Sequence, residues 1–196
     1  MGKNFSANNL GQRVKSDYYK TPSSITQQFL DQGEFDFNKE VFDPCCGDGA
    51  MSDVLRKNFK NEVFESDLLY GEHGDFFTHK NKYAYGCMNP PFSKAFAFIQ
   101  HSKEVFTEKF AMLLPLSYLH GLQRYKEIWN DTTVFPLKCV YVFTRYPMLS
   151  PYVRPDGKYP TGFVVYAWYV WERGCRKEPV IRWINNQEYV VSKKDK

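Results

Sequence analysis

The residues best suited to chemistry fall in two short runs. The first, Val41-Phe42-Asp43-Pro44-Cys45-Cys46-Gly47-Asp48-Gly49, reads as a strand entering a Gly-rich turn that opens a helix. Glycines there let backbone amides come close to a ligand, and an acid at the strand end can take an ammonium or hydroxyl group. A dinucleotide fingerprint would want a third Gly three residues after Gly49, where this chain has Ser52. The second run is Met88-Asn89-Pro90-Pro91-Phe92. An Asn before two prolines makes a rigid turn in which the Asn oxygen and the Pro90 carbonyl can face a pocket, with Phe92 closing it by stacking. Two acceptors aimed at one planar amine suit the NH2 of adenine. A purely structural Pro-Pro turn is the alternative for these residues taken alone.

Two acids lie between the runs. Asp67 follows the second expected strand, where a carboxylate can accept hydrogen bonds from ribose hydroxyls. Asp75-Phe76-Phe77 would set a carboxylate and an aromatic at the end of a third strand. Taken singly, each is ordinary turn and core material.

These residues need a scaffold, and the pattern supplies one. Residues 1–16 are polar and Asn-rich and read as a flexible lead, with one domain over 17–196. Thr21-Pro22 begins a helix over roughly 22–32, with Ile25, Phe29 and Leu30 on one face. Short strands are expected at 40–43, 62–66, 75–77, 83–88 and 110–115, and helices after Gly49, over 94–106 and over 119–129. Such alternation predicts a mostly parallel sheet covered on both faces. The last third changes character: 133–143 and 162–171 are rich in Val, Phe, Tyr and Trp and suggest an antiparallel pair finishing the sheet. Between them, Arg145 to Thr161 holds four prolines with Arg154 and Lys158. It is either a functional loop contacting nucleic acid through Arg145, Arg154 and Lys158, or a plain hairpin connection.

Composition narrows the class. At 196 residues and 43% hydrophobic, the chain can bury one sizeable core. Its 18% aromatic content serves a core, a stacking surface for bases, or both. A net charge of +4 is compatible with a polyanionic partner without demanding one. Five cysteines, with Cys45-Cys46 adjacent and no Cys-x-x-Cys spacing, fit reduced thiols in a cytoplasmic protein and no metal site. No apolar run reaches the roughly 18 residues that span a bilayer.

Asp43-Pro44-Cys45-Cys46-Gly47-Asp48-Gly49 resembles the cofactor motif of amino-group methyltransferases, and Asn89-Pro90-Pro91-Phe92 resembles their catalytic motif. Tyr19-Lys20-Thr21-Pro22 is similar to the N-terminal motif of DNA adenine-N6 methyltransferases, especially short phage and prophage members. The resemblance implies an α/β class I methyltransferase fold, a Rossmann-like three-layer sandwich whose mostly parallel seven-stranded sheet has an antiparallel last strand. It implies S-adenosyl-L-methionine as cofactor. Asp43, Pro44, Cys45 and the Gly47 to Gly49 backbone would hold the methionine part, with Tyr19, Thr21 and Pro22 closing over it and Asn89 bordering it. Asp67 would take the ribose hydroxyls, and Asp75 the adenine amine with Phe76 beside it. Asn89, Pro90, Pro91 and Phe92 would be catalytic. Two features depart from the family: Cys45 stands where an aromatic is frequent, and no separate target-recognition domain is present.

The implied activity is methyl transfer to adenine N6, with DNA favoured over RNA as the nucleic-acid partner. An RNA adenine and a protein glutamine amide present a similar planar amine and remain alternatives, as does a non-catalytic subunit that binds nucleic acid.

Overall fold

The computed structural model describes residues 20–69, 74–130, 133–144 and 164–185. Tyr19, Arg145, Arg154 and Lys158, and the loop expected to carry those three basic residues, lie outside the described residues. Helix α1 (Ser23–Leu30) precedes β1 (Val41–Asp43), α2 (Ala50–Asn58) and β2 (Val63–Glu65). A 3-10 turn (Phe76–Thr78) leads to β3 (Tyr83–Met88), α3 (Ala95–Val105) and β4 (Phe106–Pro115). A second 3-10 turn (Leu116–Leu119), a short α4 (Leu122–Arg124) and a π turn (Tyr125–Trp129) follow. Strands β5 (Leu137–Phe143), β6 (Tyr166–Glu172) and β7 (Val180–Ile184) end the described chain.

The strands form one seven-stranded sheet in the order β2-β1-β3-β4-β6-β5-β7. Only β6 runs against the rest, pairing antiparallel with β4 and β5. The expected mostly parallel sheet of seven strands is therefore present, but its membership differs in two places. Residues 75–77 are not a strand: Asp75 accepts a hydrogen bond from the Phe77 amide at 3.1 Å, and the Thr78 hydroxyl donates to the Asp75 carbonyl at 2.8 Å. Those local bonds close a turn in place of extended pairing. The seventh strand is β7, which continues the sheet parallel to β5. Among the described strands the antiparallel one is thus next to last. The expected strand over 133–143 begins only at Leu137, because Pro136 has no amide hydrogen to give a ladder.

Alternation along the strands divides the core between the two faces. Ala111 and Leu113 of β4, with Trp168 and Val170 of β6, pack with Ile25, Phe29, Val54 and Leu55 from α1 and α2. Phe110, Met112 and Leu114, with Tyr169 and Trp171, pack with Ala95, Phe98 and Ile99 from α3. The result is the three-layer sandwich. The aromatic residues are largely core: Phe29 stacks on Trp168 with centroids 4.5 Å apart, and Phe110 on Trp171 at 4.9 Å. Such pairs each add about 0.5–1.5 kcal/mol beyond their burial. Close approach also explains Gly86 in β3, where any Cβ would come within 2.3 Å of the Phe106 ring.

A charged cluster sits near the amino ends of the central strands. Glu34 accepts from the Tyr141 hydroxyl at 2.7 Å and from Lys138 at 2.8 Å, and Lys109 donates to both its carbonyl and its carboxylate. Lys138 also reaches Glu172 at 2.9 Å.

Candidate functional site at the carboxyl ends of the strands

Strand β1 pairs with β3 in parallel, so the residues that follow the two strands emerge side by side at one end of the sheet. Asp43 ends β1, and Asn89 is the first residue past β3. This brings the two sequence motifs together, at the edge where ligands bind in open α/β sheets.

Between β1 and α2 the backbone turns through positive φ at Gly47 (55°) and Gly49 (83°), the region glycine enters without steric cost. Gly49 N–H bonds the Cys46 carbonyl at 2.9 Å, and Asp53 N–H bonds the Gly49 carbonyl at 2.8 Å, which starts α2 directly from the turn. A Cβ placed on Gly49 would meet nothing within 4 Å, so the turn borders open space. Asp67 ties this turn to the end of β2, its carboxylate accepting from the Gly47 amide at 3.1 Å and from the Leu69 amide at 2.8 Å.

Asp43 is 1% exposed. Its carboxylate accepts from the Ser52 hydroxyl at 3.1 Å and the Cys45 amide at 3.4 Å. Among the described residues no cation forms an ion pair with it. Burial lifts its carboxyl to about 7, the two hydrogen bonds opposing the rise and the charges of Glu65 and Asp67 adding to it. Burial also pushes the Cys45 thiol well above its ordinary value and Cys46 up to about 12, so both remain protonated. Thiols held protonated are weak nucleophiles.

The segment before α1 closes against both motifs. Lys20 pairs with Asp48 at 2.7 Å, and the Thr21 hydroxyl accepts from Asn89 Nδ2 at 3.0 Å. That bond orients the Asn89 carboxamide. Pro22 and Pro90 are buried, Pro44 likewise, while Asn89, Pro91 and Phe92 are half-buried. The Phe92 ring lies 5.5 Å from that of Tyr166 at the start of β6.

The structure thus gathers Thr21, Pro22, Asp43, Pro44, Cys45, Gly47, Gly49, Asp67 and Asn89 through Phe92 at one end of the sheet. Phe76 is placed otherwise: at 2% exposure it stacks on Phe98 at 5.1 Å within the core, and Phe77 is the half-buried ring beside Asp75. Ser52 was not singled out as a site residue. Its signal was a polar residue on the face of α2 that carries Met51 and Leu55, and the hydroxyl is spent on Asp43.

No family model and no curated protein matches the sequence. Solved structures do match. A Listeria monocytogenes protein named as a class I S-adenosylmethionine-dependent methyltransferase superposes over 87% of this chain and 67% of its own, with a TM-score of 0.62 and 10% identity. A Vibrio vulnificus protein named as the modification subunit of a type I restriction enzyme covers 86% of this chain at a TM-score of 0.60 and 13% identity. This chain spans 47% of that subunit's length. A Pyrococcus horikoshii protein named as an RNA methyltransferase covers 88% of this chain and 93% of its own, at a TM-score of 0.55 and 17% identity. The fold is the class I methyltransferase fold.

Proposed function

We propose that this chain transfers a methyl group from S-adenosyl-L-methionine to the exocyclic N6 of adenine in DNA. The observation that carries the reading is the Asn89 carboxamide, held by Thr21 at the end of β3 beside the turn that follows Asp43.

The residues present fit the cofactor. At Gly49 the turn borders space that a side chain would fill, and Asp43 is a buried carboxylate whose only described partners are neutral donors. An ammonium group supplies the missing counter-charge, since a buried carboxylate is stabilised by an opposite charge within hydrogen-bonding reach. Asp43 and the turn backbone would hold the methionine part, Asp67 the ribose hydroxyls, and Asp75 the adenine amine. When bound, the cofactor supplies an electrophilic methyl group on a sulfonium.

The adenine amine is a poor nucleophile because its lone pair is delocalised into the ring. The Asn89 carboxamide, oriented by its Nδ2 bond to Thr21, would accept one amine proton through Oδ1, and the Pro90 carbonyl would accept the other. Accepting both favours a tetrahedral nitrogen with an exposed lone pair. Phe92 fixes the ring plane by stacking. No strong base is required, because the proton leaves to water after transfer. A target within a duplex must first be flipped from the stack, at a cost of a few kcal/mol.

Arg145, Arg154 and Lys158 are proposed as phosphate contacts. Replacing Arg154 and Lys158 with Ala is expected to make log affinity against log salt shallower by up to about two units. An unchanged slope would move the contact elsewhere.

RNA adenine is the second reading, favoured by the likeness to the Pyrococcus protein. Incubation with methyl-labelled cofactor and DNA, RNA or protein acceptors, then digestion of the labelled acceptor, tests both. N6-methyladenine from DNA is the expected product, and label confined to RNA or protein refutes the proposal.

A further inference from the structure

The segment after β4 has an inner and an outer face. Inward, Ile128 is fully buried, Trp129 stacks near Tyr169 at 6.0 Å, and Leu116 and Tyr118 pack against the α3 side of the core. Outward, Leu122 is 70% and Tyr125 58% exposed, with Leu119 at 37%. In a regular α-helix Tyr125 and Trp129 would share a face. The π turn over Tyr125–Trp129, marked by the Asn130 amide bonding the Tyr125 carbonyl, has more residues per turn and swings the two apart. Trp129 is thereby half-buried against the core and Tyr125 presented to solvent.

This outer face adjoins the Asn-Pro-Pro-Phe turn. The Phe92 ring packs on Tyr166, Tyr166 pairs with Pro115 across β4 and β6, and the Leu116 amide bonds the Val165 carbonyl at 2.7 Å. The segment therefore leaves the sheet next to the residue that stacks on the target. It is held in shape by Arg124, whose guanidinium donates to the His120 carbonyl and lies 4.5 Å over the Tyr118 ring. From Leu116 to Lys126 the chain carries Arg124 and Lys126, and the exposed Glu127 follows. Lys126 is exposed, as is Lys94 two residues beyond Phe92.

We propose that Leu122 and Tyr125 form an apolar platform that contacts bases of the DNA strand flanking the target, with Lys126 and Lys94 on its phosphates. This rests on the methyltransferase reading above and adds a substrate surface to it. An aromatic and an aliphatic side chain beside exposed cations match a stacked and polyanionic strand.

The test is fluorescence anisotropy of a labelled adenine-containing DNA oligonucleotide against wild type, L122A/Y125A, Y125F and K126A, with cofactor affinity measured in parallel to verify folding. L122A/Y125A is expected to weaken DNA binding about tenfold or more. Y125F keeps the ring and should stay within about twofold of wild type. K126A should make the salt slope shallower by about one unit. If wild type binds and methylates DNA but L122A/Y125A binds it equally well, this inference falls and the methyltransferase reading stands. If wild type neither binds nor methylates DNA, both fall. A dimer in wild type that dissociates in L122A/Y125A with DNA affinity unchanged would make the platform a contact between copies, and would overturn the proposal.

Discussion

Two buried carboxylates, Glu34 and Asp43, lie toward opposite ends of the same sheet and are treated in opposite ways. Glu34 is surrounded by Lys109, Lys138 and Tyr141. Burial alone would raise its carboxyl, but the bonds from Lys138 and Tyr141 and the Lys109 charge bring it down to about 2. Asp43 has a serine hydroxyl and one backbone amide, and burial wins, taking it to about 7. The cost of burying charge is met at Glu34 inside the protein and at Asp43 is left to be met from outside. One is paired within the fold, and the other is the group we propose for the cofactor's ammonium.

The comparison can be broken by separating stability from function. The largest effect is expected for Glu34→Ala, which takes from the buried Lys109 the nearer of its two carboxylates, Glu172 remaining at 3.5 Å, and should lower unfolding free energy by roughly 3 kcal/mol. Denaturant melts measure it, and a loss under about 1 kcal/mol would show that the cluster is not structural. Asn89→Ala should instead leave stability nearly unchanged and lower turnover by on the order of 100-fold or more. Cofactor affinity should stay within a few-fold, and near-normal single-turnover rates would remove Asn89 from the chemistry. Asp43→Ala should weaken cofactor binding by roughly 1.5–3 kcal/mol. Unchanged calorimetric affinity in a folded variant would mean that the ammonium binds elsewhere.

Acidity sharpens the contrast because the two shifts have opposite signs. Glu34 is depressed below its ordinary 4.5, so its contribution is present above that value and is lost as pH falls from there toward about 2. Asp43 is raised from 3.8, so its contribution is present below 3.8 and is lost as pH rises through about 7. Stability curves of Glu34→Gln and Asp43→Asn should flatten in those separate windows, and flattening in one shared window would undo the contrast. Cofactor affinity should follow ionisation of Asp43, roughly tenfold weaker at about pH 6 than at about pH 8. A flat profile would argue that Asp43 is already ionised in the free protein.

Much of this was legible in the chain. The Gly-rich turn after β1, the bounds of β3 and the Asn-Pro-Pro-Phe turn follow from local rules, because glycine frees the backbone for positive φ and proline fixes it, whatever surrounds them. The α/β class followed from the spacing of apolar residues, and the motif order from the resemblance they carry. What the local pattern misjudged was decided by partners distant in the chain. Phe76 reads as a ring available to a ligand until Phe42, Phe98 and Phe106 enclose it. The run Val180 to Ile184 lacks the alternation of a half-buried strand, its first four residues being exposed, and it becomes one because β5 offers an open edge.

The sequence by itself determined which residue types stand at each turn and therefore what chemistry the site can hold. It could not determine the charge state of Asp43 or of Glu34. Both are acids in otherwise ordinary segments, and their opposite acidities come from which side chains the fold brings near. Lys109, Lys138 and Tyr141 reach Glu34 from two other strands, across 75, 104 and 107 residues of chain. Burial and charge pairing depend on distance in space, and only the tertiary structure decides that.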